Sequence, residues 1–388
     1  MNRSIWIGGL VAILGVGGWL WQGGRDAVPP APAPASAWTW QLPAGFPEPV
    51  VPADNPMTEA GFQLGRRLFY DKRLSGNGTQ ACASCHMQRL AFTDGRALPI
   101  GSTGEVGTRS AMSIANVAYY PTLTWANPSQ ITLEIQAVVP MFVDNLAVEL
   151  GINDENKADV LARFRADEDY RRRFAAVFPG QTEPINFENI VRAIATFERG
   201  VISGNSRYDQ ARAGKLSLSE REERGRALFF SDKARCSECH GGYNFSDQTY
   251  DVTTRDVPRP FHNTGLYNVD GKGAYPDDNP GLIGVLPRPE NMGRFRTVSL
   301  RNIALTAPYM HDGSIASLEA VLDFYASHGR NVTHGAWKGD GRRNPLKDPI
   351  IDKIRLDARD KADLIAFLKT LTDESFIADP RYGDPFGD

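Results

Sequence analysis

All four cysteines of the chain fall in two copies of one pattern, Cys82-Ala83-Ser84-Cys85-His86 and Cys236-Ser237-Glu238-Cys239-His240. C-x-x-C-H attaches a c-type haem: the two thiols add to the vinyl groups, and the adjacent histidine becomes the proximal ligand of the iron. No cysteine is left for a disulfide. A zinc site would want four ligands in one cluster, whereas each motif offers three, far apart in sequence. A C-x-x-C redox pair does not require a histidine directly after its second cysteine. The stretches leading into the motifs repeat too: Gly65-Arg66-Arg67-Leu68-Phe69-Tyr70-Asp71-Lys72 before the first, and Gly225-Arg226-Ala227-Leu228-Phe229-Phe230-Ser231-Asp232-Lys233 before the second. Cys82, Cys85, His86, Cys236, Cys239 and His240 are therefore expected to hold two covalent haems.

Each haem loop needs helices to hold it. A helix from Thr58 to Tyr70, with Thr58 as N-cap, opens the first module. Ile190, Ile194, Phe197 and Val201 make one apolar stripe on a closing helix from Phe187 to Ile202. The second module opens at Ser219, where Ser219 and Glu222 fit a capping box. It closes over Asp357 to Leu371, with Leu364, Ile365, Phe367, Leu368 and Leu371 inward. Residues 249–292 are dense in Gly, Pro, Asn and Asp and read mostly as loop. The expectation is a mainly α protein of two cytochrome c-like haem domains with long irregular loops, at residues 50–215 and 216–388.

The N-terminus supports export, which covalent haem attachment implies in bacteria. Arg3 precedes an apolar run from Ile5 to Trp21, so residues 1–24 read as a secretory signal or a signal anchor. The run is at the short end for a spanning helix. Ala35-Ser36-Ala37 is the nearest cleavage site, rather far downstream. Residues 25–49 read as a Pro/Ala-rich tether, most purely from Val28 to Ala37. The expected location is the periplasm, with a possible tether to the inner membrane. A net charge of -3 points to no partner, and no basic cluster points to nucleic acid.

The run Leu300-Arg301-Asn302-Ile303-Ala304-Leu305-Thr306-Ala307-Pro308-Tyr309-Met310-His311-Asp312-Gly313, with its Phe295-Arg296-Thr297 lead-in, resembles the signature of the bacterial dihaem cytochrome c peroxidase and MauG family. The resemblance extends from about residue 50 to 375 and includes both haem motifs in order. In that family the residue fourteen positions after the histidine of His-Asp-Gly divides the subtypes; here it is Tyr325. Peroxidases have methionine there as a ligand of the second haem, and MauG-like members have tyrosine. The resemblance thus implies that Tyr325 ligates the second iron. The simpler reading is an aromatic on the helix face of Leu318, Val321 and Leu322. An anionic phenolate favours oxidised iron and lowers the haem potential.

At the first haem, family peroxidases carry a histidine that blocks the distal face until the enzyme is half-reduced. Here the matching segment, Pro99-Ile100-Gly101-Ser102-Thr103-Gly104, has none, and no histidine lies between His86 and His240. The resemblance then implies an open first haem. Its distal residues would be Gln136, Pro140 and Glu149, with Glu149 arriving after a longer stretch than in MauG and Glu134 as its competitor. Glu149 would relocate the peroxide proton during O–O cleavage.

Trp125, eleven residues before Gln136, is close to the family's inter-haem tryptophan; otherwise it is a core residue. The family's Ca²⁺ would take the carbonyls of Thr306 and Pro308, with Ser110 replacing the expected asparagine. MauG's surface tryptophan, two residues before the second haem motif, is Ala234 here. Pro140-Met141-Phe142 and Tyr119-Tyr120-Pro121-Thr122-Leu123-Thr124-Trp125 resemble a MauG-like branch, including the methanobactin-cluster type, associated with copper-handling partners and with oxidation of a partner tryptophan to kynurenine. The implied function is a hydrogen-peroxide-dependent enzyme that oxidises Trp or Tyr side chains of a partner protein in the periplasm. The alternatives are a dihaem peroxidase fed by a small cytochrome or copper protein, and a non-catalytic dihaem electron carrier.

Overall fold

The computed structural model describes residues 38–142 and 149–387. The expected signal or anchor, residues 1–24, lies outside them, as does most of the expected tether. Among the described residues no helix is long and apolar enough to cross a membrane.

The first half carries α1 (Glu59–Tyr70), α2 (Cys82–Cys85), α3 (Leu133–Met141), α4 (Lys157–Ala166), α5 (Glu168–Val177), α6 (Phe187–Arg199) and α7 (Arg207–Arg212). The second carries α8 (Glu220–Phe229), α9 (Cys236–Cys239), α10 (Leu318–Ala326), α11 (Ala358–Lys369) and α12 (Glu374–Ala378). Strands are confined to two small antiparallel pairs: β1 (Phe261–His262) with β2 (Phe295–Arg296), and β3 (Asn331–Val332) with β4 (Gly339–Asp340). The protein is mainly helical, as expected.

The helices that pack the two cores start where side chains satisfy first-turn N–H groups. Thr58 caps α1 by accepting from Gly61 N, and Ser219 and Glu222 close a reciprocal capping box on α8. Asp357 caps α11 by accepting from Arg359 and Asp360 N.

The internal repeat has a packing reason. In each half the helix before the haem loop crosses the closing helix, α1 on α6 and α8 on α11. The crossing point on each leading helix is the repeated glycine. A Cβ on Gly65 would run into the carbonyl of Ala193, and one on Gly225 into that of Asp363. Only glycine lets these backbones approach so closely. Two apolar cores result. The first gathers Phe62, Leu68, Phe69, Ile190, Ile194 and Phe197; the second gathers Phe229, Phe245, Leu322, Leu364 and Phe367.

The cores do not follow the expected boundary throughout. Ala126, early in the chain, belongs to the second core, while Phe376, near its end, belongs to the first. The C-terminal segment returns to the first half through polar contacts. Gln88 Nε2 donates to the carbonyls of Phe376 and Asp379, the Tyr70 hydroxyl donates to the carbonyl of Tyr382, and Arg381 pairs with Glu59 at 2.7 Å. The tether expectation also needs correction from Trp38 onward. Trp38 stacks on Phe62 at 5.2 Å, and buried Phe46 packs on Tyr119 and Tyr243. Large aromatic area removed from water holds this stretch down.

Candidate active site: two haem-attachment motifs

The proximal histidines are held by one device used twice. His86 Nδ1 lies 2.9 Å from the carbonyl of Phe92; His240 Nδ1 lies 3.2 Å from that of Phe245 and 3.1 Å from that of Val298. With Nδ1–H donating to a carbonyl, Nε2 is left unprotonated as the metal ligand, and the ring is oriented. Burial further lowers both histidine pKa values, which favours the neutral ligand form. Phe92 and Phe245 are both fully buried and both left-handed, with φ of 63° and 51°. A bulky residue there is an outlier, and strain of this kind persists where the surroundings over-determine it. Here it aims a carbonyl at the histidine. The sequence carried no signal for this beyond the position of Phe92 and Phe245 after each motif.

None of the four cysteines is paired in a disulfide.

Around the second motif lies an apolar cavity of about 1430 Å³, counting its open mouth, whose walls include Cys236, Cys239, His240, Tyr275, Leu322 and Tyr325. Its size and lining fit a haem attached at the second motif. Tyr325 projects from α10, which Ser317 starts by accepting from Ala320 N. Burial raises its phenol pKa, so a ligating phenolate forms only where a cation displaces the proton.

His262 also borders this cavity, and sequence reasoning missed it. Its Nδ1 lies 2.7 Å from Asp348 and its Nε2 2.7 Å from Asp247. Burial pulls its pKa down, but the two carboxylates together raise it above the ordinary value. Cys239, Asp247 and His262 bring ligand atoms within 4.8 Å of one another, yet the Cys239 sulfur is committed to its haem motif. His311 is buried with its Nε2 unpartnered among the described residues, and burial lowers its pKa to about 3. Its ring stacks on Phe295 at 3.6 Å.

At the first motif, α3 carries Gln136 and Pro140, with Thr132 as N-cap. Glu149 follows the undescribed residues 143–148, and its carbonyl accepts from Ser102 N at 2.8 Å. Burial alone raises its carboxyl pKa, and its charge contributes to the raised pKa values of Cys82 and Cys85. Glu134 is engaged elsewhere: Oε1 accepts from Arg199 Nη2 at 2.7 Å and from Asn55 Nδ2 at 2.6 Å.

Trp125 lines the second cavity, donates Nε1–H to the carbonyl of Ser110 at 2.9 Å, and meets His311 edge-on at 6.4 Å. The calcium donors fit only in part. The carbonyls of Thr306 and Pro308 accept no hydrogen bond among the described residues. Ser110 does not fit: its hydroxyl donates to the Met310 carbonyl at 3.0 Å, and its own carbonyl takes the Trp125 N–H. Ca²⁺ takes about six to eight oxygens, and this set falls short.

Two C-x-x-C-H sites, on two helical cores, with histidine ligands oriented alike, define a dihaem c-type oxidoreductase. The family model described as di-haem cytochrome c peroxidase matches residues 59–217. Cytochrome-c peroxidase IdrP1 of Pseudomonas sp. (strain SCT) is 34% identical over 345 residues, covering 85% of each chain. Methylamine utilization protein MauG of Methylophilus methylotrophus is 32% identical over 344 residues, covering 87% of this chain and 91% of its own. A crystal structure of a MauG-like protein associated with microbial copper homeostasis is 57% identical, covers 90% of this chain and 100% of its own, and superposes with a TM-score of 0.89. The chain belongs to the dihaem cytochrome c peroxidase and MauG family, and it is a haem-dependent oxidoreductase with two haem cofactors.

Proposed function

We propose that this protein is a MauG-like enzyme of the periplasm that uses hydrogen peroxide to oxidise a Trp or Tyr side chain of a partner protein. The observation that carries the reading is Tyr325 in the wall of the cavity that holds Cys236, Cys239 and His240. The copper association of the 57% identical structure supports a copper-handling partner. The modules at 50–215 and 216–388 would carry the peroxide-binding and the His240/Tyr325 haem, and the N-terminal segment would direct export.

When bound, the haems supply the iron that accepts oxidising equivalents from peroxide. Glu149 would take a proton from one peroxide oxygen and return it to the other; burial raises its carboxyl pKa, which suits it as a base. Gln136 hydrogen-bonds at the distal face, and Pro140 shapes α3 beside it. Trp125 passes an electron between the two halves. Thr306 and Pro308 keep their carbonyls for calcium, Ser110 does not join them, and no step depends on that ion.

The ferric holoprotein is expected to show one high-spin and one low-spin haem, because a sixth ligand is available only at the second. Low-temperature EPR reads this directly, and two low-spin signals without a high-spin fraction would remove the open site.

The decisive experiment treats the co-encoded partner with the ferric enzyme and peroxide, and runs a steady-state assay with reduced cytochrome c beside it. Kynurenine-type or hydroxylated tryptophan in the partner's mass spectrum is the expected outcome. An unmodified partner with rapid cytochrome turnover would assign the protein to the peroxidases fed by a small redox protein, the activity named for its 34% identical relative.

A further inference from the structure

Oxidation of a partner needs a route for electrons from the surface to the cofactors. Ala234, where the resemblance places MauG's surface tryptophan, is buried and carries no ring. A different set of rings runs from the second cavity outward. Tyr275 stands in the cavity wall, with its ring 6.2 Å from His311. Tyr267 meets Tyr275 edge-on at 5.5 Å and 75°, and Trp337 meets Tyr267 at 5.8 Å and 81°. Tyr275 and Tyr267 are each 2% exposed, whereas Trp337 is 45% exposed, the most open tryptophan among the described residues.

The polar groups on these rings differ in kind. The Tyr275 hydroxyl donates to Asn263 Oδ1 at 2.9 Å and accepts from Leu266 N at 3.0 Å. Neither partner is a base, so Tyr275 is an intervening ring. The Tyr267 hydroxyl donates to Asp312 Oδ2 at 2.6 Å. Asp312 is held as a carboxylate: burial opposes its charge, but hydrogen bonds from Tyr267 and Ser314 lower its pKa. A phenol loses an electron readily only if its proton leaves at the same time, and Asp312 is placed to take that proton. The Arg330 guanidinium lies 4.5 Å over the Tyr267 ring. A cation there is attracted to the neutral ring and repels a positively charged one, which favours release of the proton with the electron.

We propose that Trp337, Tyr267 and Tyr275 are the path by which electrons from a partner side chain reach the second haem, with Trp337 as the surface contact. The proposal rests on the partner-oxidation reading above. Each transfer moves one electron inward. Tyr267 gives its electron through the Tyr275 ring to the oxidised haem pair, while its phenolic proton moves to Asp312 Oδ2. Trp337 then reduces Tyr267, the proton returns from Asp312, and the partner side chain reduces Trp337. Two such transfers, with the two protons released by the oxidised partner, reduce one hydrogen peroxide to two waters.

The test uses the full-length holoprotein, hydrogen peroxide and a nitroso spin trap, without partner, and maps adducts by peptide mass spectrometry while the haem spectrum is followed. The expected adduct is on Trp337. In Trp337→Phe it moves to Tyr267. In Tyr267→Phe, which keeps the ring but not the proton-coupled step, the Trp337 adduct is lost and the oxidised haem spectrum persists longer. A haem spectrum that responds to peroxide with no adduct on Trp337 or Tyr267 overturns the path and leaves the partner-oxidation reading standing. An adduct on Trp337 that survives Tyr267→Phe overturns the route through Tyr267. A haem spectrum that does not respond to peroxide overturns both.

Discussion

Tyr325→Phe will leave both haems attached and will abolish the stable two-equivalent oxidation of the protein by peroxide. The substitution removes one oxygen from a partly buried ring and keeps its packing edge-on against Phe324 at 5.0 Å, so α10 and the cavity wall stay in place. What is lost is the only anion this side chain can offer the second iron. An anionic oxygen ligand stabilises oxidised iron and lowers its potential. Without it the second haem no longer stores an equivalent, and reductive titration of the peroxide-treated protein will recover fewer equivalents than from the native one. Haem staining and the Soret band check attachment, and Mössbauer spectra check the irons. An unchanged two-equivalent yield would show that Tyr325 is a wall residue and no ligand.

Glu149→Gln will slow the reaction with peroxide by about 10²- to 10⁴-fold, the usual cost of losing a positioned proton carrier. Glutamine keeps the size and can still hydrogen-bond, so peroxide still binds, but it cannot accept the proton that cleavage must relocate. Stopped-flow spectra report the step. Glu134→Gln is the control, with the opposite profile. Glu134 neutralises Arg199, whose side chain is 3% exposed. Removing that charge leaves a buried cation uncompensated, and breaking such a pair costs roughly 3–5 kcal/mol when a partner is deleted outright. Glu134→Gln will therefore lower the Tm and leave the rate of peroxide activation near native. A native rate in Glu149→Gln with a slow Glu134→Gln would transfer the proton-carrying role to Glu134.

Much of the scaffold was legible because its signals are local. A cap is a side chain three residues from the N–H it satisfies, so Thr58, Ser219 and Asp357 mark helix starts in the chain itself. The apolar stripe of α6 is a periodicity within one helix. The C-x-x-C-H motifs carry their own chemistry at a spacing that no distant residue alters. Even the repeat before each motif held a packing fact, since Gly65 and Gly225 are the crossing points of the paired helices.

Other features depend on which distant residues meet, and no local pattern encodes that. The left-handed φ of Phe92 and Phe245 aims their carbonyls at His86 and His240, whose Nδ1–H groups donate to them. Glu134, one of two candidate carboxylates, is engaged by Arg199 and Asn55 reaching it from elsewhere in the chain. His262 is an ordinary loop histidine in the sequence and becomes a clamped group only when Asp247 and Asp348 close on it. The ring series from Tyr275 to Trp337 joins residues from separate loops that Gly and Pro had made unreadable by periodicity. The sequence by itself determined the two covalent haems, the helical scaffold and the family, because bonds and caps are short-range. The tertiary structure decided which carboxylate is held in an ion pair and which rings stand in series from the second cavity to the surface, because those depend on burial and on contacts across the fold.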